Sequence, residues 1–428
     1  MAPSFITKLL MLILCICPSF AISSRTDFLP SECLMVPTSE FVNSVKDTID
    51  AVQQVASIIS PFVNLFGDLR LSSAISDCLD LLELSSDELT WSLSATQNPK
   101  GKDNSTGDKG SDLRTWLSAA LVNQDTCIDG FDGTSSIVKE LVSGGLTQVT
   151  SLVQQLLSMV QHPVSKNPGR RLTSKDQFPS WVKSEDRKLL QANGVVVDAI
   201  VAADGSGNFT MFIGDGMDAT VISGDRNYID GWTTFRTATF AVSGRGFIAR
   251  DITFENTAGP EKHQAVALRS DSDLSVFFRC GIKGYQDSLY THTMRQFYRE
   301  CRISGTVDFI FGDGTVVFQN CQILAKKGLP NQKEHYNRSG SQRPNPTHGL
   351  LLPILVARVE WHFAFGYIVL RRIHKFGPSG SVARRVNWPG YHVFNESSQA
   401  HNFTVAQFIE GNLWLPPTGV RYTAGLEV

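Results

Sequence analysis

Apolar residues recur at helical spacing through the first third of the chain and then switch to short strand-like runs. Phe41, Val42, Val45, Ile49, Val52 and Ile59 share one face of a helix that Thr38 or Ser39 can cap. Leu113, Trp116, Leu117, Ala120, Leu121, Gln124 and Cys127 keep the same spacing, and further helical windows cover 71–83, 86–97 and 135–160. The polar, Gly-containing run 99–111 reads as a loop. Amphipathic helices joined by short links predict an all-α, up-and-down antiparallel bundle over residues 22–161. Cys78 and Cys127 each fall on a helix and can staple two of them.

After a Pro-, Ser- and charge-rich stretch at 162–190, the period changes. Val195 to Val201 is a β-type run that ends in the turn signal Asp204-Gly205-Ser206-Gly207. A repeat then dominates residues 245–325. Phe247, Phe277, Tyr298 and Phe318 are each followed three positions later by Arg250, Cys280, Cys301 and Cys321, and two further on by Ile252, Ile282, Ile303 and Ile323. The last two steps are 21 and 20 residues, a period that predicts a coiled β-solenoid. Residues 334–376 show no such repeat: a polar, then Pro-rich run leads into Trp361-His362-Phe363-Ala364-Phe365 and Arg371-Arg372-Ile373-His374-Lys375.

Composition narrows the class. The chain has 428 residues, 42% hydrophobic and 19% charged, enough to bury a core in two or three domains. A net charge of -2 leaves no basic footprint for nucleic acid. Lys8 followed by the apolar run Leu9 to Ile16 and by Ser19-Phe20-Ala21 reads as a signal peptide over 1–21; the run is too short to span a membrane. Secretion admits disulfides and glycans. Sequons stand at Asn104, Asn208, Asn337, Asn395 and Asn402. Cys301 and Cys321 occupy equivalent positions on adjacent coils, so either a bridge or a ladder of packed thiols is open. The linker holds Arg170-Arg171-Leu172 and Arg187-Lys188-Leu189-Leu190, exposed basic sites for a processing protease or simply solvated charge.

Two carboxylates ride on the repeat. Asp287 lies seven residues after Cys280, and Asp308 seven after Cys301. Equivalent positions on neighbouring coils stack at roughly 4.8 Å, which sets these two side by side. Like charges so close push one pKa up and leave the other low, a split that suits a nucleophile beside a general acid and base. Asp308 is flanked by apolar residues in Val307-Asp308-Phe309-Ile310, a costly place for a charge without a task. The alternative for each is a ladder residue that satisfies turn backbone. Carboxylates about 5 Å apart also fit a retaining glycosidase. Gln286 and Gln264 favour acyl transfer, since their amides can donate to an oxyanion. No H-x-x-x-H spacing points to a metal, no G-x-S-x-G elbow points to a serine hydrolase, and no cofactor is called for.

At these residues the chain resembles plant pectin methylesterases that carry an N-terminal inhibitor-like prodomain. Five stretches carry the resemblance: Gly231-Trp232-Thr233-Thr234-Phe235, Asp251 to Pro260, His263 to Arg269, Tyr285 to Tyr290, and Val307 to Gly312. The resemblance implies a right-handed parallel β-helix over 191–428 and hydrolysis of galacturonate methyl esters in cell-wall pectin, outside the cell. It implies Asp308 as nucleophile, Asp287 as proton donor and then base, Gln286 and Gln264 as oxyanion donors, Thr234 and Gln264 in the sugar groove, and Cys301–Cys321 as a disulfide. It also implies a contact in which the bundle masks the groove until the linker is cut, or only assists folding.

The departures lie in particular segments. The family's Gly-Arg-Pro-Trp segment, whose arginine orients the nucleophile, has no counterpart here; residues 334–376 replace it in the manner of a shifted reading frame. The family's first coils are also missing after Asn208-Phe209-Thr210, which makes the β-helix incomplete. Cys33 lacks the partner found nearby in the family; Val42 stands nine residues on. These losses set up a second expectation, a catalytically impaired pectin-binding or inhibitor-like product. A glycosidase or lyase on the same fold would instead cleave the chain.

Overall fold

The computed structural model describes residues 33–63, 65, 67–98, 106, 108–134, 137–161, 211–330, 350–358, 367–371 and 401–425. The signal peptide, the linker with its basic sites, the 195–201 strand, the Asn208-Phe209-Thr210 segment before the expected gap, four of the sequons and most of 334–400 lie outside them. Asn402 is described and exposed.

Four helices form the N-terminal bundle: α1 (Thr38–Ile59), α2 (Leu69–Gln97), α3 (Lys109–Asp129) and α4 (Ile137–Ser158). The apolar face of α1 buries Phe41, Val42, Val45, Val52, Val55 and Ile59, with Ile49 at its edge. Thr38 is the first helical residue rather than the cap; Pro37 precedes it, its φ of -55° already close to helical. The windows 71–83 and 86–97 are one helix. Ser85 and Ser86 continue it because their hydroxyls bond the carbonyls of Leu81 and Leu82, four residues back. Cys78 on α2 and Cys127 on α3 form a disulfide with Cα atoms 4.6 Å apart.

Residues 211–325 wind into parallel coils with three strand columns. The first column is β1 (Met211–Ile213), β4 (Ile248–Arg250), β7 (Ser275–Phe278), β10 (Arg295–Arg299) and the start of β13 (Thr315–Ala325). The second is β2 (Val221–Gly224), β5 (Thr253–Asn256), β8 (Gly281–Lys283), β11 (Arg302–Gly305) and the end of β13. The third is β3 (Phe240–Arg245), β6 (Leu268–Asp273), β9 (Leu289–Tyr290) and β12 (Ile310–Phe311). Phe277, Tyr298 and Phe318 pair in register and stack with centroids 4.6 and 4.8 Å apart; Ile282, Ile303 and Ile323 form the matching column.

The earliest repeat is registered differently from the sequence alignment. Ala249, not Phe247, pairs with Phe277, and Phe254, not Ile252, pairs with Ile282. The slip is two residues. Side chains alternate with period two, so an even slip keeps Phe247 and Ile252 facing the core.

The Cys301–Cys321 bridge is also corrected. Cys280, Cys301 and Cys321 are buried free thiols, stacked one above another in the core. Each thiol turns to a backbone carbonyl of the preceding coil: Cys301 Sγ donates to the Phe277 carbonyl at 3.2 Å and Cys321 Sγ to the Tyr298 carbonyl at 3.5 Å. Cys33 forms no disulfide among the described residues.

Where the repeat is lost, the strand direction is lost with it. The backbone of β14 (Leu350–Arg358) runs antiparallel to β13, and β15 (Tyr367–Arg371) antiparallel to β14. At the chain's end, α5 (Val405–Phe408) and α6 (Gly411–Trp414) pack Val405, Trp414 and Leu415 on Ile248, Val276, Phe297 and Val317, the outer face of the first column. No helix among the described residues is long and apolar enough to cross a membrane.

Candidate active site and the helical cap

Asp287 and Asp308 sit at the same corner of successive coils. Two residues beyond each, Leu289 pairs with Ile310 and Tyr290 with Phe311. The Asp287 N–H donates to the Val307 carbonyl at 3.2 Å, and Thr306 N–H to the Tyr285 carbonyl at 2.9 Å. Both aspartates turn the corner through left-handed backbone, φ 62° and 48°, a conformation that collects at functional sites. The turn is tight. A Cβ on Gly305 would collide with Phe309, the Tyr285 carbonyl and Ser288, so only glycine fits there.

The environments differ as the chemistry requires. Asp287 is 2% exposed and its Oδ1 is buried with no hydrogen-bond partner, whereas Asp308 is half-buried. Burial first, and then the Asp308 charge, push the Asp287 carboxyl well above the usual carboxylate range. The shift favours the protonated form of Asp287 over its carboxylate. Gln286 precedes it on the same coil, and its carbonyl accepts from Ala265 N–H at 3.3 Å. Gln264, next to Ala265, lies one coil earlier, and both amide side chains are half-buried. Thr234 caps a 3-10 turn, Phe235–Thr237, that carries Arg236 and follows Thr233. No cluster of side chains suited to a metal occurs among the described residues.

The bundle packs on the face that follows the aspartates. Phe235, Val266, Tyr290 and Phe311 share one buried cluster with the helices, and Tyr290 stacks on Phe311 at 4.2 Å. Arg236 reaches Asp77 at 2.6 Å and Asp80 at 2.5 Å on α2, and Thr233 donates to Asp77. On α3, Trp116 donates its indole N–H to Asp273 at 2.9 Å, and Asp112 accepts from Arg295 at 2.8 Å. Arg245 lies over the rings of Trp91 and Trp116. Thr126 bonds His292, whose other ring nitrogen meets Asp271.

Sequence reasoning missed this second half of the site. The signal was there: Ser270-Asp271-Ser272-Asp273 puts two charges directly after the apolar run Ala265 to Leu268 and Arg269. In the fold, all four residues are buried beneath the bundle or against their neighbours.

Glu88 on α2 is buried against the same acids. Its carboxyl is pushed well up by burial, with Asp271, Asp87 and Asp273 adding to the shift; Asn123, which donates to it at 3.1 Å, opposes the shift. A raised folded pKa gives stability that is complete below the unfolded value of about 4.3 and is lost as pH rises toward the folded one. Glu88→Gln should therefore flatten the pH dependence of thermal unfolding, raising the midpoint near pH ~7.5 and barely moving it near pH ~4.5. Parallel curves for variant and parent would contradict this assignment.

Comparison with known proteins fits both halves. A family described as Pectinesterase matches residues 182–360 and 356–412, and one described as Plant invertase/pectin methylesterase inhibitor matches 18–160. The pectinesterase/pectinesterase inhibitor PPE8B of Prunus persica is 58% identical over 95% of this chain and 93% of its own. The probable pectinesterase/pectinesterase inhibitor 44 of Arabidopsis thaliana is 50% identical over 98% and 99%. A solved structure, the pectin methylesterase from carrot, is 37% identical and covers 50% of this chain and 82% of its own, with a TM-score of 0.41. The coil bearing paired aspartates, the helical cap docked beside them and these matches together place the chain in the pectinesterase family, with an N-terminal domain of the pectin methylesterase inhibitor type.

Proposed function

We propose that the chain is a secreted aspartyl esterase that hydrolyses methyl esters of galacturonate units in pectin and releases methanol. One observation carries the reading: two stacked aspartates in unequal surroundings, one of them buried with a carboxyl pushed well above the usual range by burial and by its neighbour's charge. The Asp308 carboxylate attacks the ester carbonyl. Gln286 and Gln264 hold the oxyanion of the tetrahedral intermediate. Asp287 gives its proton to the departing methoxy oxygen, which leaves as methanol, and the acyl group stays on Asp308 as a mixed anhydride. Asp287, now a carboxylate, takes a proton from water as that water attacks the acyl carbon. The bond from the acyl carbon to Asp308 breaks and frees the Asp308 carboxylate; the product leaves as the carboxylic acid and gives its proton to solvent, and both aspartates return to their starting states. Thr234 and Gln264 contact the sugar chain.

The docked bundle lies where the polymer would run, so the uncut chain is latent. Cleavage at Arg171-Leu172 or after Arg187-Lys188 would release it. The signal-like segment 1–21 supports export to the cell wall. Methanol release from methyl-esterified pectin, measured before and after a single cut in the linker, tests the reading. The expected result is a rise of at least about tenfold on cutting, the return of a site withheld by a tethered domain. A cut chain that neither binds pectin nor releases methanol would overturn it.

A second reading, pectin binding without turnover, is favoured by one sequence fact: no Gly-Arg-Pro-Trp segment follows Asp308. Binding with no methanol from the cut chain would assign it there.

A further inference from the structure

The bundle's hold on the coil includes a contact built like a carbohydrate site. Asp271 on β6 is 1% exposed, and the guanidinium of Arg269 meets it at 3.0 Å. Its carboxyl is held down at about 2: burial opposes the charge, and Arg269 and His292 outweigh it. The carboxylate accepts the Nδ1–H of His292 at 2.5 Å, which fixes the ring with Nε2 facing α3. Thr126 Oγ1 of α3 lies 2.8 Å from that Nε2 and also within hydrogen-bonding reach of the Tyr290 hydroxyl. The Thr126 hydroxyl thus bridges the imidazole Nε2 and the Tyr290 hydroxyl. Phe235 and Tyr290 stand edge-on to the imidazole, at 5.5 and 5.0 Å.

A ring nitrogen and a phenolic hydroxyl converging on a single hydroxyl, beside aromatic rings, is the arrangement that recognises a sugar hydroxyl. Burying an ion pair and an imidazole under a protein domain is a poor way to gain stability. The same groups suit a wet groove in which a polar ligand completes them. His292 and Tyr290 also lie on the coil of Asp287, a few residues further along the same face.

We propose that Asp271, His292 and Tyr290 form a subsite for a pyranose hydroxyl of the substrate chain, and that the Thr126 hydroxyl occupies it in the intact protein as a stand-in for the sugar. The inference rests on the pectin reading above and adds to it a specific ligand atom class and a specific competitor. His292 and Tyr290 contact the ligand directly, and Asp271 positions the imidazole.

The test uses the full chain cut once in the linker with both pieces retained, and a partly methyl-esterified galacturonate hexamer as probe, with affinity read by calorimetry. Thr126→Val keeps shape and removes the guest hydroxyl, which leaves His292 and Tyr290 unsatisfied under the bundle. The apparent hexamer affinity should rise about five- to tenfold, because the competitor is weaker. In the Thr126→Val background, adding His292→Gln or Tyr290→Phe should then lower hexamer affinity by about five- to tenfold, since no guest hydroxyl remains to confuse the comparison. Tyr290→Phe preserves the ring stack with Phe311, so it serves if His292→Gln does not fold. Hexamer affinity within twofold of the Thr126→Val parent for both additions would overturn the proposal and leave these residues as docking contacts. No hexamer binding by any sample would remove the pectin reading as well.

Discussion

Asp308→Asn in the linker-cut chain should lower methanol release by at least about a thousandfold, the loss expected when a covalent nucleophile is removed. The substitution keeps shape and deletes one charge. It also tests the electrostatics of the pair. Burial is the larger cause of the raised Asp287 pKa and the Asp308 charge the smaller, so Asp287 should titrate at lower pH in Asp308→Asn yet remain above an ordinary aspartate. The first step needs Asp287 protonated, so the parent's rate should hold until pH approaches the raised pKa and fall beyond it. Asp287→Asn should lose the acid and the base together, and with them the pH dependence. The readouts are methanol release across pH and a carboxyl titration by NMR. An Asp308→Asn chain within about tenfold of the parent would remove Asp308 as the nucleophile.

The carboxylate pair was legible because a coil is a local ruler. Steps of 21 and 20 residues between aromatic positions fix which residues stack, and Asp287 and Asp308 inherit the register of Phe277, Tyr298 and Phe318. The earliest repeat was misread by two residues because only the even parity of a slip is enforced by the core; Ala249 satisfies the column as well as Phe247 does. The helix windows were legible from their apolar faces. The docking of the bundle was not. Asp77, Asp112, Trp116 and Thr126 looked like ordinary residues of helix surfaces and faces, and each finds its partner more than 150 residues away. Periodicity carries no information about such pairs. The thiol ladder was open from spacing alone; the direction in which each thiol points, which sequence does not display, decides it.

Arg295→Ala should cause the largest loss of stability among the interface residues. Arg295 is 2% exposed and lies where three parts of the chain meet. Its guanidinium contacts Asp273 of the preceding coil at 2.6 Å, Asp112 of α3 at 2.8 Å and Glu410 of the C-terminal segment at 3.5 Å. Burial works against its charge, but Asp273 and Asp112 keep it protonated throughout the accessible range. Truncating it leaves two buried carboxylates without their cation, a change of about 3–5 kcal/mol. Spread over a structure of this size, that lowers the thermal midpoint by on the order of 10 °C. The pH dependence runs opposite to that of Glu88. Asp273 is shifted downward, with burial opposed by Arg295, so its contribution is present above the unfolded value of about 4 and is lost as pH falls through the folded one. The penalty of Arg295→Ala should therefore be greatest near neutrality and shrink in acid, where the orphaned carboxylates can take up protons. Asp112→Asn removes only the bundle's share and should loosen the cap without the same cost to the coil. Thermal unfolding of both variants at two pH values checks this. Equal midpoints for Arg295→Ala and the parent at neutral pH would mean that solvent, not the arginine, compensates these acids, and the three-way junction would then hold nothing together.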